Sequence, residues 1–329
     1  MNKIYHTPYL IFNLGQLKRN IIAMEDMKNF YKLIYVFPIK AFNCPKVLKI
    51  FKDNDFWFDV SNLNEYNSVK HYVTSNNKII FNNIKNQNIY NKNIINVRNY
   101  YDGSNNCIYN GVRINFNDVI GKVSRFGISS SVLMESQDQF SDIKLIHFHV
   151  AHKKNKEMLD KIADNIRHFT KLYKNLEYID IGGNWSMEQL DLLKYFLRKL
   201  RHIVGEDIVI LIEAGDFWFY NVGFAKATVI GINKEENTFR YTLDLSKTLH
   251  CSWSDPKMIY SESNDLSNAD KKHEYYGPTC YELDKFDSEE NYHAKIGEVI
   301  TFRNINGYSY ELNKNFNGIN KAAVRFIDE

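Results

Sequence analysis

No two cysteines in this sequence are spaced as Cys-x-x-Cys. The four, Cys44, Cys107, Cys251 and Cys280, are scattered through 329 residues. Neither a zinc site nor a disulfide framework is indicated, and a reducing, cytoplasmic setting is expected. Long apolar runs are also missing. Nothing approaches the roughly 20 residues that a bilayer-spanning helix needs, so no membrane partner is expected. The opening segment MNKIYHTPYLIFN lacks the apolar stretch of a secretory leader. No excess of charge stands out: 42 Lys and Arg face 39 Asp and Glu, for a net charge of +3. Without a basic stripe, a nucleic-acid partner is not expected. Internal repeats and low-complexity tails are absent too. What remains is an ordinary globular composition, 44% apolar, long enough for one large or two ordinary domains.

The first two-thirds of the chain alternate short apolar runs with helical patterns. Strands are expected at 35–39, 56–60, 79–81, 94–97, 112–115, 145–150, 178–181 and 209–213. Between them, Met158, Leu159, Ile162, Ile166, Phe169 and Leu172 recur at helical spacing. So do Leu190, Leu193, Phe196, Leu197 and Leu200, preceded by Ser186 and Gln189 at the spacing of a capping box. Such a succession of β-then-α units points to an α/β fold with a parallel (β/α)8 barrel of the TIM type. After about residue 224 the pattern becomes short alternating runs, such as 238–243 and 299–303, broken by polar loops at 261–272 and 284–293. This predicts a C-terminal antiparallel β-sandwich or β-barrel domain, which the strand at 9–12 would join. The expected division is a barrel at 14–225, with 1–13 and 226–329 forming the β domain.

Barrel enzymes carry their working groups at the C-terminal ends of the strands. Here those ends hold Lys40; Asp59 and Ser61, with Glu65 beyond; Arg113; His147 and His149; Gly182 and Gly183; and Glu213. One polar residue after an apolar strand is ordinarily a solvated loop residue. Convergence of so many on one rim favours a site. Lys40 sits in Val-Phe-Pro-Ile-Lys-Ala-Phe-Asn, where burial would favour a neutral, nucleophilic amine. A strand–Gly-Gly–helix junction is either a simple tight turn or a set of amides open to a phosphate. A buried Glu213 calls for a cationic partner, such as a protonated pyridine nitrogen. His149 taken alone reads better as a satisfied core histidine.

Together these residues resemble the fold-type III pyridoxal 5′-phosphate (PLP) decarboxylases, which act on ornithine, diaminopimelate and carboxynorspermidine. The resemblance rests on Ile39-Lys40-Ala41-Phe42-Asn43-Cys44-Pro45 and Phe58-Asp59-Val60-Ser61 with Glu65. It continues through Ser124-Arg125-Phe126-Gly127, His147-Phe148-His149-Val150 and Asp180-Ile181-Gly182-Gly183. It ends with Glu213-Ala214-Gly215, Gly277-Pro278-Thr279-Cys280 and Phe316-Asn317-Gly318. It spans nearly the whole chain, in family order.

The resemblance implies that Lys40 holds PLP as a Schiff base, His149 stacks on the ring and Glu213 pairs with the ring nitrogen. It places Gly182, Gly183, Asn184 and Tyr308 at the phosphate and Arg113 near the ring's 3′ oxygen. Cys280 would reach across from a second subunit and return a proton after CO2 is lost. Asp216, Asp244 and Asp284 would meet the substrate. A homodimer with shared sites follows, and no metal is implied. The subgroup most resembled is carboxynorspermidine decarboxylase, by Glu213-Ala214-Gly215-Asp216 and by the stretch from Leu243 to His250. Departures fall at Ala214, Asn184, His152 and Tyr281, where relatives carry proline, glycine, serine and aspartate. Asp216 also stands where relatives often place a phosphate-binding arginine. The departures leave the substrate open between carboxynorspermidine or carboxyspermidine and a 3-amino-3-carboxypropyl group on a nucleotide–peptide antibiotic of the microcin C type. In the latter case this chain would be one domain of a longer protein. An amino-acid racemase and a non-catalytic PLP-binding regulator are the other readings.

Overall fold

The computed structural model describes residues 6–83, 87–100, 109–121, 124–136, 140, 142–261, 271–287 and 292–329. Cys107 and residues 262–270 and 288–291, which fall in the stretches expected to be polar loops, lie outside them. The chain divides into two compact units, Met1–Asn20 with Trp218–Glu329, and Ile21–Phe217.

The second of these units is a closed parallel barrel. Its strands are β2 (Leu33–Pro38), β3 (Trp57–Val60), β4 (Ile79–Phe81), β5 (Ile94–Arg98), β6 (Gly111–Asn115), β8 (Leu145–His147), β9 (Tyr178–Asp180) and β10 (Val209–Ile212). They neighbour one another in chain order, and β10 returns to pair with β2. A two-residue strand, β7 (Ile128–Ser129), pairs with β6 outside the ring. The helix Lys156–Leu172 buries Met158, Leu159, Ile162, Ile166 and Phe169, and its N-cap Asn155 accepts from the Met158 amide. The helix Leu190–Val204 buries Leu193, Phe196, Leu197 and Leu200. Each apolar side chain so covered contributes about 1.5–3 kcal/mol. Ser186 makes no capping bond, however, and 187–189 form a 3-10 turn, so the expected capping box is not formed.

The barrel is filled, not hollow. Val36, Trp57, Ile80, Ile95, Val97, Leu145 and Leu211 form one buried cluster. Trp57 occupies much of this layer, and β6 meets it with Gly111. A Cβ there would lie 3.2 Å from Ile95 and Val97 and 3.3 Å from Leu145. Side chains two residues apart on a strand share a face. One step beyond the apolar layer, the same face therefore presents Asp59, Asn82, Asn99, Arg113, His147, Asp180 and Glu213. Packing below thus sets a polar layer at the C-terminal ends of the strands.

The other unit is a curled sheet of β1 (Tyr9–Asn13), β11 (Gly223–Glu235), β12 (Thr238–Leu243), β13 (Lys257–Ser261), β14 (Lys272–Tyr276), β15 (Lys285–Phe286), β16 (Val299–Arg303) and β17 (Ala323–Ile327). β1 joins it by pairing with β11, as its sequence predicts. The sheet is mixed, not purely antiparallel: β12 runs parallel to β14, and β1 to β17. Alternation along a strand reports which face is buried and carries no information about the direction of the neighbour. No described helix is long and apolar enough to cross a membrane.

Candidate active site

Lys40 follows β2 in the 3-10 turn Ile39–Ala41. Its neighbours Ile39, Ala41 and Phe42 are fully buried, yet its own side chain is 49% exposed, with Nζ 3.7 Å from Asp59 Oδ2. The expected burial of the amine is therefore corrected. Apolar neighbours in sequence bury themselves and leave the lysine facing out of the strand end, beside an acid.

Around it lie three buried acids. Burial pushes Asp59 well up, and the Glu213 charge adds to this. Asp180 is raised in the same way. Burial also pushes Glu213 up, but His147, Asp180 and Lys40 outweigh it and hold this carboxyl below the usual range. Acids this close in a low dielectric cannot all ionise, and Glu213 is the one that keeps its charge. Its Oε2 lies 3.3 Å from His147 Nε2. The raised Asp180 carboxyl hydrogen-bonds to Glu213 as well.

His147 is itself oriented. Asn99 donates to Asn82 Oδ1 at 2.8 Å, and Asn82 Nδ2 lies 3.2 Å from His147 Nδ1. An amide NH2 only donates. His147 Nδ1 therefore accepts, and Nε2 carries the proton that faces Glu213. One donor atom each from His147, Asp180 and Glu213 lie within 4.8 Å of one another, a spacing that a divalent ion can use. The Nε2 proton occupies the lone pair such an ion would need.

His149 is pushed down to about 3, chiefly by burial and then by Arg113. It is a neutral ring whose Nδ1 accepts from the Gly183 amide at 3.2 Å. Arg113 lies among these acids, its guanidinium 5.0 Å from the Phe126 ring centroid. Arg125 covers the same ring at 4.3 Å. Gly127 has φ +90, and a Cβ there would press on the Arg113 carbonyl at 3.0 Å. The Ser-Arg-Phe-Gly motif thus seats Arg113.

Gly182 and Gly183 do not offer open amides. Gly182 N–H donates to Asp180 Oδ1 at 2.8 Å, and Gly183 N–H is taken by His149. The pair is needed for close packing instead. A Cβ on Gly182 would lie 2.4 Å from the Phe148 carbonyl oxygen, and one on Gly183 2.5 Å from that of Glu213. Asn184, at φ +57, donates from its side chain to the carbonyls of Val150, Ala151 and His152. Asp216 stands exposed in the 3-10 turn Asp216–Phe219, and desolvation by its surroundings pushes it up to about 6. Glu65 accepts from the Ser61 amide at 2.6 Å, in the first turn of the helix Leu63–Val69 that Asn62 caps.

Four expected site residues belong to the β unit. Cys280 is exposed, and Asn317 Nδ2 lies 3.5 Å from its Sγ, so the Phe-Asn-Gly motif steadies the cysteine loop. Tyr308 is half-buried, its ring 5.2 Å from that of Trp253. Asp244 accepts from Thr7 and from the Thr228 amide. Asp284 is fully buried and accepts from Ser246, the Thr248 amide and Thr279. Its carboxylate is engaged inside its own unit, where it ties the Gly277–Cys280 turn to Ser246 and Thr248. Asn82 and Asn99 are two further residues of this polar layer, inconspicuous in an asparagine-rich sequence. Their signal was position, two residues beyond Ile80 and Val97 on the inward face.

No protein-family model matches the chain, and no curated protein does. Solved structures do: the chain has the fold of the fold-type III decarboxylases. An arginine decarboxylase from Paramecium bursaria Chlorella virus, bound to agmatine, superposes with TM-score 0.78 at 16% identity, covering 99% of this chain and 97% of that one. Carboxynorspermidine decarboxylase from Campylobacter jejuni, complexed with norspermidine, gives 0.72 at 18%, covering 96% and 92%. Lysine/ornithine decarboxylase from Vibrio vulnificus, complexed with cadaverine, gives 0.71 at 16%, covering 99% and 96%.

Proposed function

We propose that this chain is a PLP-dependent decarboxylase. Its substrate is an amino acid that carries a distal amine, of the carboxynorspermidine or carboxyspermidine type. The observation that carries the reading is Glu213: a buried carboxyl at a strand end, held below the usual range by His147, Asp180 and Lys40. A buried carboxylate is best matched by a positive partner, and a cationic N–H group from a bound ring would add one beside the neutral donors His147 and Asp180. The residues present therefore fit the cofactor at its ring nitrogen. The chemistry that bound PLP supplies is a ring able to accept the electron pair released as CO2 leaves.

The protein's part is positional and electrostatic. Lys40 presents the amine for attachment to the cofactor's aldehyde, at a strand end open enough for a substrate amine to replace it. Asp59, next to Nζ, takes up or releases the proton that this exchange moves. His147, fixed by Asn82, donates to Glu213 and keeps that carboxylate charged. His149 offers a neutral aromatic face, and Arg113 supplies positive charge beside the acids. Asp216 is exposed and suits a distal ammonium. Cys280, on an exposed loop, is the proton donor from a second copy. Tyr281 and Leu283 on the same loop are 53% and 69% exposed, and apolar surface of that kind supports a subunit contact. The names of the solved decarboxylases, which were seen with agmatine, norspermidine and cadaverine, support an amine-bearing product.

The test is borohydride reduction of PLP-loaded protein, with peptide mapping and CO2 assays on carboxynorspermidine, carboxyspermidine, ornithine and lysine. The expected result is a reduced adduct on Lys40, release of CO2 from a carboxylated polyamine, and loss of both in Lys40→Ala. Adduct without CO2, accompanied by loss of optical rotation, would replace the reading with racemisation.

A further inference from the structure

Asp180 is fully buried at the end of β9, between two partners that strand register supplies. On β8 it is paired with His147, and on β10 with Leu211. Glu213 lies two residues past Leu211 and so faces the same way. The Glu213 amide donates to the Gly182 carbonyl at 3.2 Å, which holds the two strand ends side by side. One oxygen of each acid and one nitrogen of His147 lie within 4.8 Å of one another.

The donors around this pair of acids can be followed oxygen by oxygen. Asp180 Oδ1 accepts from the Gly182 amide at 2.8 Å. Glu213 Oε2 faces His147 Nε2 at 3.3 Å. No backbone amide, hydroxyl or ring N–H among the described residues reaches Asp180 Oδ2 or Glu213 Oε1. Two full negative charges buried together are costly. A single proton held between the two remaining oxygens removes one charge and gives both oxygens a partner. The surroundings also decide which acid keeps it. The Gly182 amide uses Oδ1 as an acceptor and leaves the O–H for Oδ2, whereas the imidazole N–H favours charge on Glu213. Burial and the Glu213 charge push Asp180 up, while Glu213 is held down, in the same sense.

We propose that Asp180 is a positioning residue that works as a neutral acid, donating from Oδ2 to Glu213 Oε1 and so lowering the proton affinity of the carboxylate that meets the ring nitrogen. Glu213 then has an O–H donor on one oxygen and an N–H donor on the other. A carboxylate engaged in this way is a weak base. It attracts a protonated ring nitrogen and leaves the proton there, where a more basic carboxylate would capture it. The identity of the ring rests on the function proposed above; the shared proton does not.

Asparagine is the diagnostic replacement. Its Oδ1 accepts from the Gly182 amide and its Nδ2 donates to Glu213, whereas leucine donates nothing. Infrared difference spectra of the cofactor-free full chain, wild type against Asp180→Asn at neutral pH, should show loss of a protonated-carboxyl C=O stretch. Loss of an ionised carboxylate band in its place would overturn the proposal. In a second experiment PLP and its carbocyclic analogue, with C–H in place of the ring nitrogen, are titrated into wild type, Asp180→Leu and Asp180→Asn. Asp180→Leu is expected to lower the preference for PLP over the analogue by about tenfold, roughly 1.4 kcal/mol, and Asp180→Asn to recover most of it. Equal weakening of both ligands by Asp180→Leu would mean a merely structural residue and would refute the role, as would an asparagine variant no better than leucine. Should Asp180→Leu fail to fold, the infrared comparison decides. A protonated-carboxyl signal from Asp180 without a reducible adduct at Lys40 would retain the shared proton and sink the cofactor assignment.

Discussion

Lys154 and Lys40 show how little a lysine's sequence neighbours say about its charge. Lys40 stands in an apolar heptad and is half-exposed beside an acid. Lys154 stands in a polar run, His-Lys-Lys-Asn-Lys, and is buried. The consequence for Lys154 is measurable. With its pKa near 7 in the folded chain and near the ordinary 10.5 when unfolded, the unfolded state binds the extra proton between those values. Stability contributed by this group therefore rises with pH across that window, by up to about 1.4 kcal/mol per pH unit. Below pH 7 both states carry the charge and the cost of burying it is fully present. Urea unfolding at pH 7 and pH 9 should show the rise in the wild-type chain and lose it in Lys154→Met. A wild-type slope identical to that of the methionine variant would contradict the burial.

Elements carry the site through register. Along the barrel strands, the residues at or just past the end of each apolar run, Asp59, Arg113, His147, Gly182 and Glu213, stand at the C-terminal strand ends. Facing direction is what converts a strand end into a site. His147 points inward with Leu145, whereas His149 lies beyond the strand, against the glycine turn. The apolar layer below must stay filled for this to hold, and Gly111 is its tightest point. Gly111→Val would force the new side chain into Ile95, Val97 and Leu145. It is expected to destabilise the chain by about 1–3 kcal/mol, read as a lower urea midpoint, and to reduce PLP affinity by displacing Arg113. Unchanged stability would mean that the barrel interior has room the contacts deny.

For the whole molecule, the proposal of two copies sharing their sites makes a prediction that no single-chain mechanism makes. Lys40→Ala and Cys280→Ala should each be inactive in CO2 release as homodimers. Mixed in equal amounts after dissociation and reassociation, they should recover about a quarter of wild-type activity, because half the dimers then hold one intact site. Recovery of nothing from properly mixed dimers would place both residues in the service of the same chain.

What could be read from the amino acids was whatever depends on local order. Period-two and helical spacing placed the strands and helices of the barrel, and β1 in the second sheet. The run of strand-end residues marked the rim, and Arg113's partner motif lay in plain view as Ser-Arg-Phe-Gly. What only the tertiary structure decided were the states of those residues, since these depend on groups distant in sequence. Glu213 keeps its charge because His147, Asn82 and Asn99, from three other strands, line up behind it. The Gly182 and Gly183 amides are spent because His149 and Asp180 happen to face them. Asp284 is buried within its own unit because Ser246, Thr248 and Thr279 close around it. Hydrophobic period is a property of neighbours along the chain. Hydrogen-bond satisfaction and the charge of a buried acid belong to neighbours in space.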